Sequence, residues 1–65
     1  MVSSGDRTGV IVIRLWLEGA VDNPLRARVI VVPDVESREA EDDVASSVEE
    51  IVEIVRQFVG SFAGA

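Results

Sequence analysis

Residues 10–32 read VIVIRLWLEGAVDNPLRARVIVV, and the alternation inside this stretch decides the fold. A period of two puts Ile11, Ile13, Leu15 and Leu17 on one face, with Val10, Val12, Arg14, Trp16 and Glu18 on the other. Such a pattern, rich in β-branched residues, is that of a strand with one apolar and one mixed face. The run Gly19, Ala20, Val21, Asp22, Asn23, Pro24 combines a permissive glycine, side chains that bond their own backbone and a residue without an N–H donor, so it reads as a turn. Strand character resumes from Leu25 to Val32.

A hairpin with Glu18 facing Arg26 also sets Trp16 against Arg28, Arg14 against Ile30 and Val12 against Val32. Its other face joins Leu17, Leu15 and Ile13 to Ala27, Val29 and Val31. A slip of one residue would bring arginines opposite the apolar face, so hydrophobic matching and charge pairing select this register. The apolar face, Ile11 included, is expected to lie under a helix, with Leu15→Ala costing about 2–5 kcal/mol if Leu15 is buried.

Outward from the hairpin, residues 1–8 are small and polar and read as a flexible lead-in. Pro33 stops the ladder. Residues 34–43 form an acidic connector in which Ser37 offers a cap for a helical turn and Val35 a short extended continuation. A helix is clearest over 44–62: Val44, Val48, Ile51, Val55, Phe58 and Phe62 recur at steps of four and three, flanked by Val52 and Val59. The buried stripe is expected to contain Val44, Val48, Ile51, Val55 and Phe58. Glu39, Glu41, Asp42 and Asp43 lie towards its amino end and Arg56 near its carboxyl end, as the helix dipole favours. Ser46 and Ser47 are each followed three residues later by Glu49 or Glu50, the capping-box spacing; if that box is used, the helix starts after a break and a separate turn precedes it. Gly60 or a last turn reaching Phe62 before Gly64 ends it. The organisation is thus a lead-in 1–8, a single domain 9–63 with the connector 34–43, and a tail 64–65. The fold class is α+β, a small ββα unit made of an antiparallel hairpin and one C-terminal helix, completed by oligomerisation into a larger sheet with helices.

At 65 residues the chain supports one domain with a marginal core. Domains below roughly 70–80 residues commonly rely on a disulfide, a metal or a partner. The sequence holds neither cysteine nor histidine, which removes disulfides and the usual soft-metal ligands and leaves association as the stabilising device. The cysteine-free composition is compatible with a cytoplasmic location. The run from Val10 to Leu17 contains Arg14 and falls far short of the ~20 residues needed to span a bilayer, and with Asp6 before it does not match a signal sequence; no membrane role is expected.

The formal charge of −6, carried with no lysine, opposes general attraction to nucleic acid or anionic lipid. The balance is uneven: four arginines face three acids through residue 33, and two face nine thereafter. Arg14, Arg26 and Arg28 share the mixed sheet face with Trp16 and are the candidate anion-binding residues, with Arg28 over the Trp16 ring as a cation–π partner. Single-strand nucleic-acid modules stack several aromatics on successive bases, whereas this face has one. Trp16 reads either as a large side chain closing a sheet interface or as an anchor for another protein.

The acidic group Glu39, Glu41, Asp42 and Asp43 lacks the alternation and fixed glycine of a calcium loop, so no metal site is expected. Serines 3, 4, 37, 46, 47 and 61 have no histidine or lysine to act as base, and no glycine-rich phosphate loop is present. No catalytic or cofactor-binding residues are expected, and the chain reads as non-enzymatic.

The apolar residues that one hairpin and one helix leave uncovered are the candidate interface: Val12, Trp16, Ile30 and Val32 on the outer sheet face, with Val52, Ile54 and Val59 beside the helix stripe. The leading expectation is a small acidic interaction module or accessory subunit that acts as a homo-oligomer, a dimer or higher, with room for an unidentified protein partner. The alternatives are a nucleic-acid or anionic-ligand binder using the Arg/Trp face, and a structural assembly component. Self-association has two geometries: pairing of hairpin edges into a continuous sheet, or packing of outer faces around Trp16.

Overall fold

The computed structural model describes residues 7–64. Their order is β1 (Val10–Leu17), β2 (Leu25–Val32), β3 (Glu41–Ala45) and α1 (Val48–Gly64). The strands form one antiparallel sheet in the order β1-β2-β3, and the helix packs against the central strand. The α+β class, the hairpin and the C-terminal helix follow the sequence expectation. A third strand does not.

Hairpin faces divide as expected, but the register slides by two residues: Val12 faces Ile30, Arg14 faces Arg28, Leu15 faces Ala27 and Trp16 faces Arg26. An even slide leaves every side chain on its own face, so hydrophobic matching cannot resist it. The turn decides instead. Glu18 N–H donates to Pro24 O at 2.7 Å, which shortens the loop and adds ladder pairs at its mouth. The expected Glu18–Arg26 pairing is not made; Arg26 Nη1 donates to the carbonyls of Asn23 and Leu25, each at 2.7 Å. Glu18 accepts the Trp16 indole N–H at 3.2 Å.

The expected connector 34–43 and the first expected helical residue, Val44, are corrected by β3. Val44 sits four residues before Val48 and so fits the helical period, but β2 has a second edge whose backbone groups need partners. Residues 41–45 supply them, with Ala45 opposite Ala27, Asp43 opposite Val29 and Asp42 opposite Ile30. Val44 is therefore a strand residue, 71% exposed, rather than a member of the buried stripe. The chain reaches β3 through a turn in which the Asp34 carboxylate accepts Glu36 N–H at 3.0 Å and its carbonyl accepts Ser37 N–H at 3.0 Å. Ser37 thus serves a turn, and its Oγ accepts Glu39 N–H at 3.3 Å.

The capping box at the β3–α1 junction is formed in its N-cap half, and its carboxylate bonds one residue further back. Ser47 Oγ accepts Glu50 N–H at 3.0 Å, while the Glu50 carboxylate reaches back to accept Ser46 N–H at 2.7 Å. Ser47 is the N-cap, so the helix begins at Val48; a strand rather than a separate turn precedes it. At the other end Arg7 Nη2 donates to Phe62 O at 3.0 Å and its guanidinium lies 4.6 Å from the centre of the Phe62 ring. The last turn of the helix has no basic residue of its own, so Arg7 brings the cation that its dipole favours from outside the helix. Gly9 permits the close approach: a Cβ there would lie 2.9 Å from Phe62 Cε1. Of the lead-in expected over 1–8, residues 1–6 lie outside the described residues; Thr8 O accepts Val35 N–H at 3.0 Å. In the expected tail, Gly64 closes the helix and Ala65 lies outside the described residues.

Ala27, Val29, Val31 and Ala45 are the buried apolar residues among those described. They come from β2 and the end of β3. Beneath the helix, Ile51, Ile54, Val55, Phe58 and Phe62 are half-buried, while Val48, expected in the stripe, is exposed. Of the β1 residues expected under the helix, all of which share the face of Ala27, Val29 and Val31, Ile11 is half-buried, whereas Ile13, Leu15 and Leu17 are exposed, Leu15 at 59% and Leu17 at 71%. A helix about 10–12 Å across with its side chains covers roughly two strands spaced ~4.8 Å apart. Centred on β2, it meets the β1 side only near Gly9, where Phe58 and Phe62 come close, and leaves the rest of β1 uncovered.

Candidate functional site

The expected interface residues fall into three places. Val12, Trp16, Ile30 and Val32 do share the outer sheet face, with Val12 directly opposite Ile30. Trp16 is 38% exposed and Val12 also exposed, while Ile30 and Val32 are half-buried. Val52 and Val59 lie on one flank of the helix, both exposed. Ile54 belongs to the opposite flank, where it lines a cleft of ≈ 390 Å³ with Gln57, Ser61, Glu41 and Asp43.

The same outer face carries the three candidate anion-binding arginines, and each has a local partner. Arg28 grips Asp42 of β3 in a forked pair, Nε to Oδ1 at 2.9 Å and Nη2 to Oδ2 at 2.8 Å. Hydrogen bonding from Arg28, reinforced by its charge, holds the Asp42 carboxyl below its ordinary range and raises the Arg28 guanidinium above its own. Arg26 is engaged by the turn carbonyls. Arg14, not the expected Arg28, lies over the Trp16 ring, 5.4 Å from its centre. These arrangements share a cause. The slid register places Arg14 opposite Arg28, and like charges facing across a ladder are unfavourable; Asp42 offsets one guanidinium and the indole receives the other.

The acidic group is dispersed by β3. Glu41 and Asp43 face the helix side, opposite Val31 and Val29, whereas Asp42 faces outward beside Arg28. Among the described residues no three His, Cys, Asp or Glu side chains are grouped so as to hold a metal ion, and no helix is long and apolar enough to cross a membrane.

The most exposed apolar ground lies on the helix side of β1. Val48, Val52 and Val59 fall within an arc of about 40° on the helix surface. The opposite flank, through Ile54, Gln57 and Ser61, looks onto β3, so the valine flank is turned towards the β1 side of the sheet. On that side of the sheet Ile13, Leu15 and Leu17 are all exposed. Together they form an open apolar trough, floored by β1 and walled on one side by the helix. Ile13, Leu15, Leu17 and Val48 were expected to be buried within the chain. Their exposure follows from the third strand, which the sequence pattern did not signal: with β3 on the far side of β2, the helix centres on β2 and leaves most of β1 uncovered.

Comparison with protein-family models, with curated proteins and with solved structures gave no match.

Proposed function

We propose that this chain is a small interaction module that acts as a homo-oligomer and has no catalytic role of its own, in a cytoplasmic setting. The observation carrying the proposal is the uncovered trough, where Leu15 and Leu17 stand exposed beside the valine flank of the helix. Contiguous apolar ground of this kind on a protein surface marks association. Burying it contributes about 25 cal/mol per Å² before ordering costs, while the buried core of the single chain is confined to residues of β2 and β3. The six arginines against twelve acids repel between copies, but peripheral charges are screened over about 8 Å at physiological salt. An assembly-component role would use the same surface.

Anion binding through the outer face has less support. An incoming phosphate would compete with Asp42 for Arg28 and with two carbonyls for Arg26. Sedimentation equilibrium over a wide concentration range tests the main reading: the wild-type chain is expected to associate, and Leu15→Glu or Val52→Glu to stay monomeric with an unchanged circular dichroism spectrum. Folded wild-type monomer at high micromolar concentration would defeat it. Salt-sensitive binding of an oligonucleotide that is lost in Arg14→Ala would favour the anion reading instead.

A further inference from the structure

We propose that two copies join through the free edge of β1, antiparallel about a two-fold axis at Leu15, to give a six-stranded sheet with both helices on one face; this rests on the self-association reading above. The choice of edge follows from charge. The sheet has two free edges among the described residues, β1 and β3. Glu41, Asp42 and Asp43 occupy consecutive positions on β3, so pairing that edge with itself would crowd carboxylates together. β1 reads VIVIRLWL and is eight residues long. Packing of outer faces is less favourable, because it would take Arg14, Arg26 and the Arg28–Asp42 pair out of water.

Backbone geometry agrees. Glu18 N–H bonds Pro24 O, and bonding direction alternates along a strand, so the even-numbered residues of β1 turn their donors and acceptors towards β2. Ile11, Ile13, Leu15 and Leu17 therefore present theirs to the free edge. Their side chains are the ones that stand on the helix side, so a strand added there brings the partner copy's trough alongside this one. In the joined sheet, β2 and its symmetry mate lie three strand spacings apart, about 14 Å. Helices centred on them turn their valine flanks towards each other across a gap wider than the 8–10 Å of direct helix packing, which leaves room for side chains between them. Ile13, Leu15 and Leu17 of both copies then fill the floor between two walls. Ile13, Leu15, Leu17, Val48, Val52 and Val59 together expose on the order of 600 Å² per copy, so their complete mutual burial removes at most about 1,200 Å², comparable with the roughly 1,000 Å² of a specific interface.

The register follows from Arg14. An axis at Arg14 would set two guanidiniums face to face in a close pair, whereas an axis at Leu15 sets Arg14 opposite the partner copy's Trp16 on both sides. It also centres the contact on Leu15, with Leu17 of each copy facing Ile13 of the other, and Leu15 and Leu17 are the more exposed residues of the three.

Single-cysteine variants of the full chain test this, because the native sequence has no cysteine. Leu15→Cys is expected to give a disulfide-linked dimer under mild oxidation, since Cα atoms of a hydrogen-bonded antiparallel pair lie about 5.5 Å apart. Ile13→Cys, roughly 14 Å from its own symmetry mate, is expected to stay uncrosslinked alone and to crosslink when mixed with Leu17→Cys. A dimer by sedimentation that crosslinks through Ile13→Cys alone overturns the Leu15 axis. One that crosslinks through Val12→Cys or Val32→Cys, and not through Leu15→Cys, overturns edge pairing in favour of face packing. A wild-type monomer at high micromolar concentration overturns the self-association reading itself.

Discussion

Ala20 holds φ at 56° in the turn between β1 and β2, a region where its Cβ crowds the following carbonyl at a cost of about 1–2 kcal/mol. Glycine removes that crowding but adds freedom to the unfolded chain worth about 0.4–1 kcal/mol. Ala20→Gly is therefore expected to stabilise the fold by about 0.5–1 kcal/mol, seen as a higher urea midpoint; a lower midpoint would count against the left-handed turn. Asp42 gives a second expectation at this scale. Hydrogen bonding from Arg28 holds its carboxyl below the usual carboxylate range, so the folded state favours the charged form. That stabilisation is present above the unfolded value and is lost as pH falls through the lower folded one. Denaturant midpoints measured from pH 5 downward should fall more steeply for the wild type than for Asp42→Asn. Because the pair is exposed, the difference should shrink at high salt.

The helix start shows how an element is bounded by one side chain. Ser47 Oγ takes Glu50 N–H, satisfying one of the unpaired donors of the first turn. Ser47→Ala is expected to cost about 0.5–2 kcal/mol in chemical denaturation. Ser46→Ala should cost less, because the Ser46 contact to Glu50 that matters most is its backbone N–H, which survives the substitution. A larger loss at Ser46 would place the cap one residue early. The hairpin is bounded at its turn in the same way, where the Glu18 to Pro24 bond fixes the pairing.

For the whole molecule, the division between buried and exposed apolar residues inverts one expectation from the sequence. Leu15 was expected to be indispensable to the fold, yet the helix leaves it exposed and encloses Val29 completely. Val29→Ala should cost about 1.5–3 kcal/mol. Leu15→Ala should leave the unfolding of dilute, dissociated chain nearly unchanged and weaken association instead. Denaturation at several protein concentrations separates these outcomes: a concentration-independent loss on Leu15→Ala would mean that the residue is buried within its own chain.

The sequence by itself determined the two long strands, the division of their faces, the turn between them and the helix that follows, because each is written in a local period or a local bond. Ser47 and Glu50 announced the true helix start, although the competing step from Val44 to Val48 fitted the same period equally well. Only the tertiary structure decided between them, since what recruits residues 41–45 into a strand is the unpaired edge of β2 and the Arg28 guanidinium, both distant in sequence. The register was likewise undetermined by side-chain pattern, which an even slide leaves intact. Which apolar residues would be covered depended on width: one helix rests over β2 and meets β1 only at its start, so residues alike in the sequence part into a buried core and an open trough.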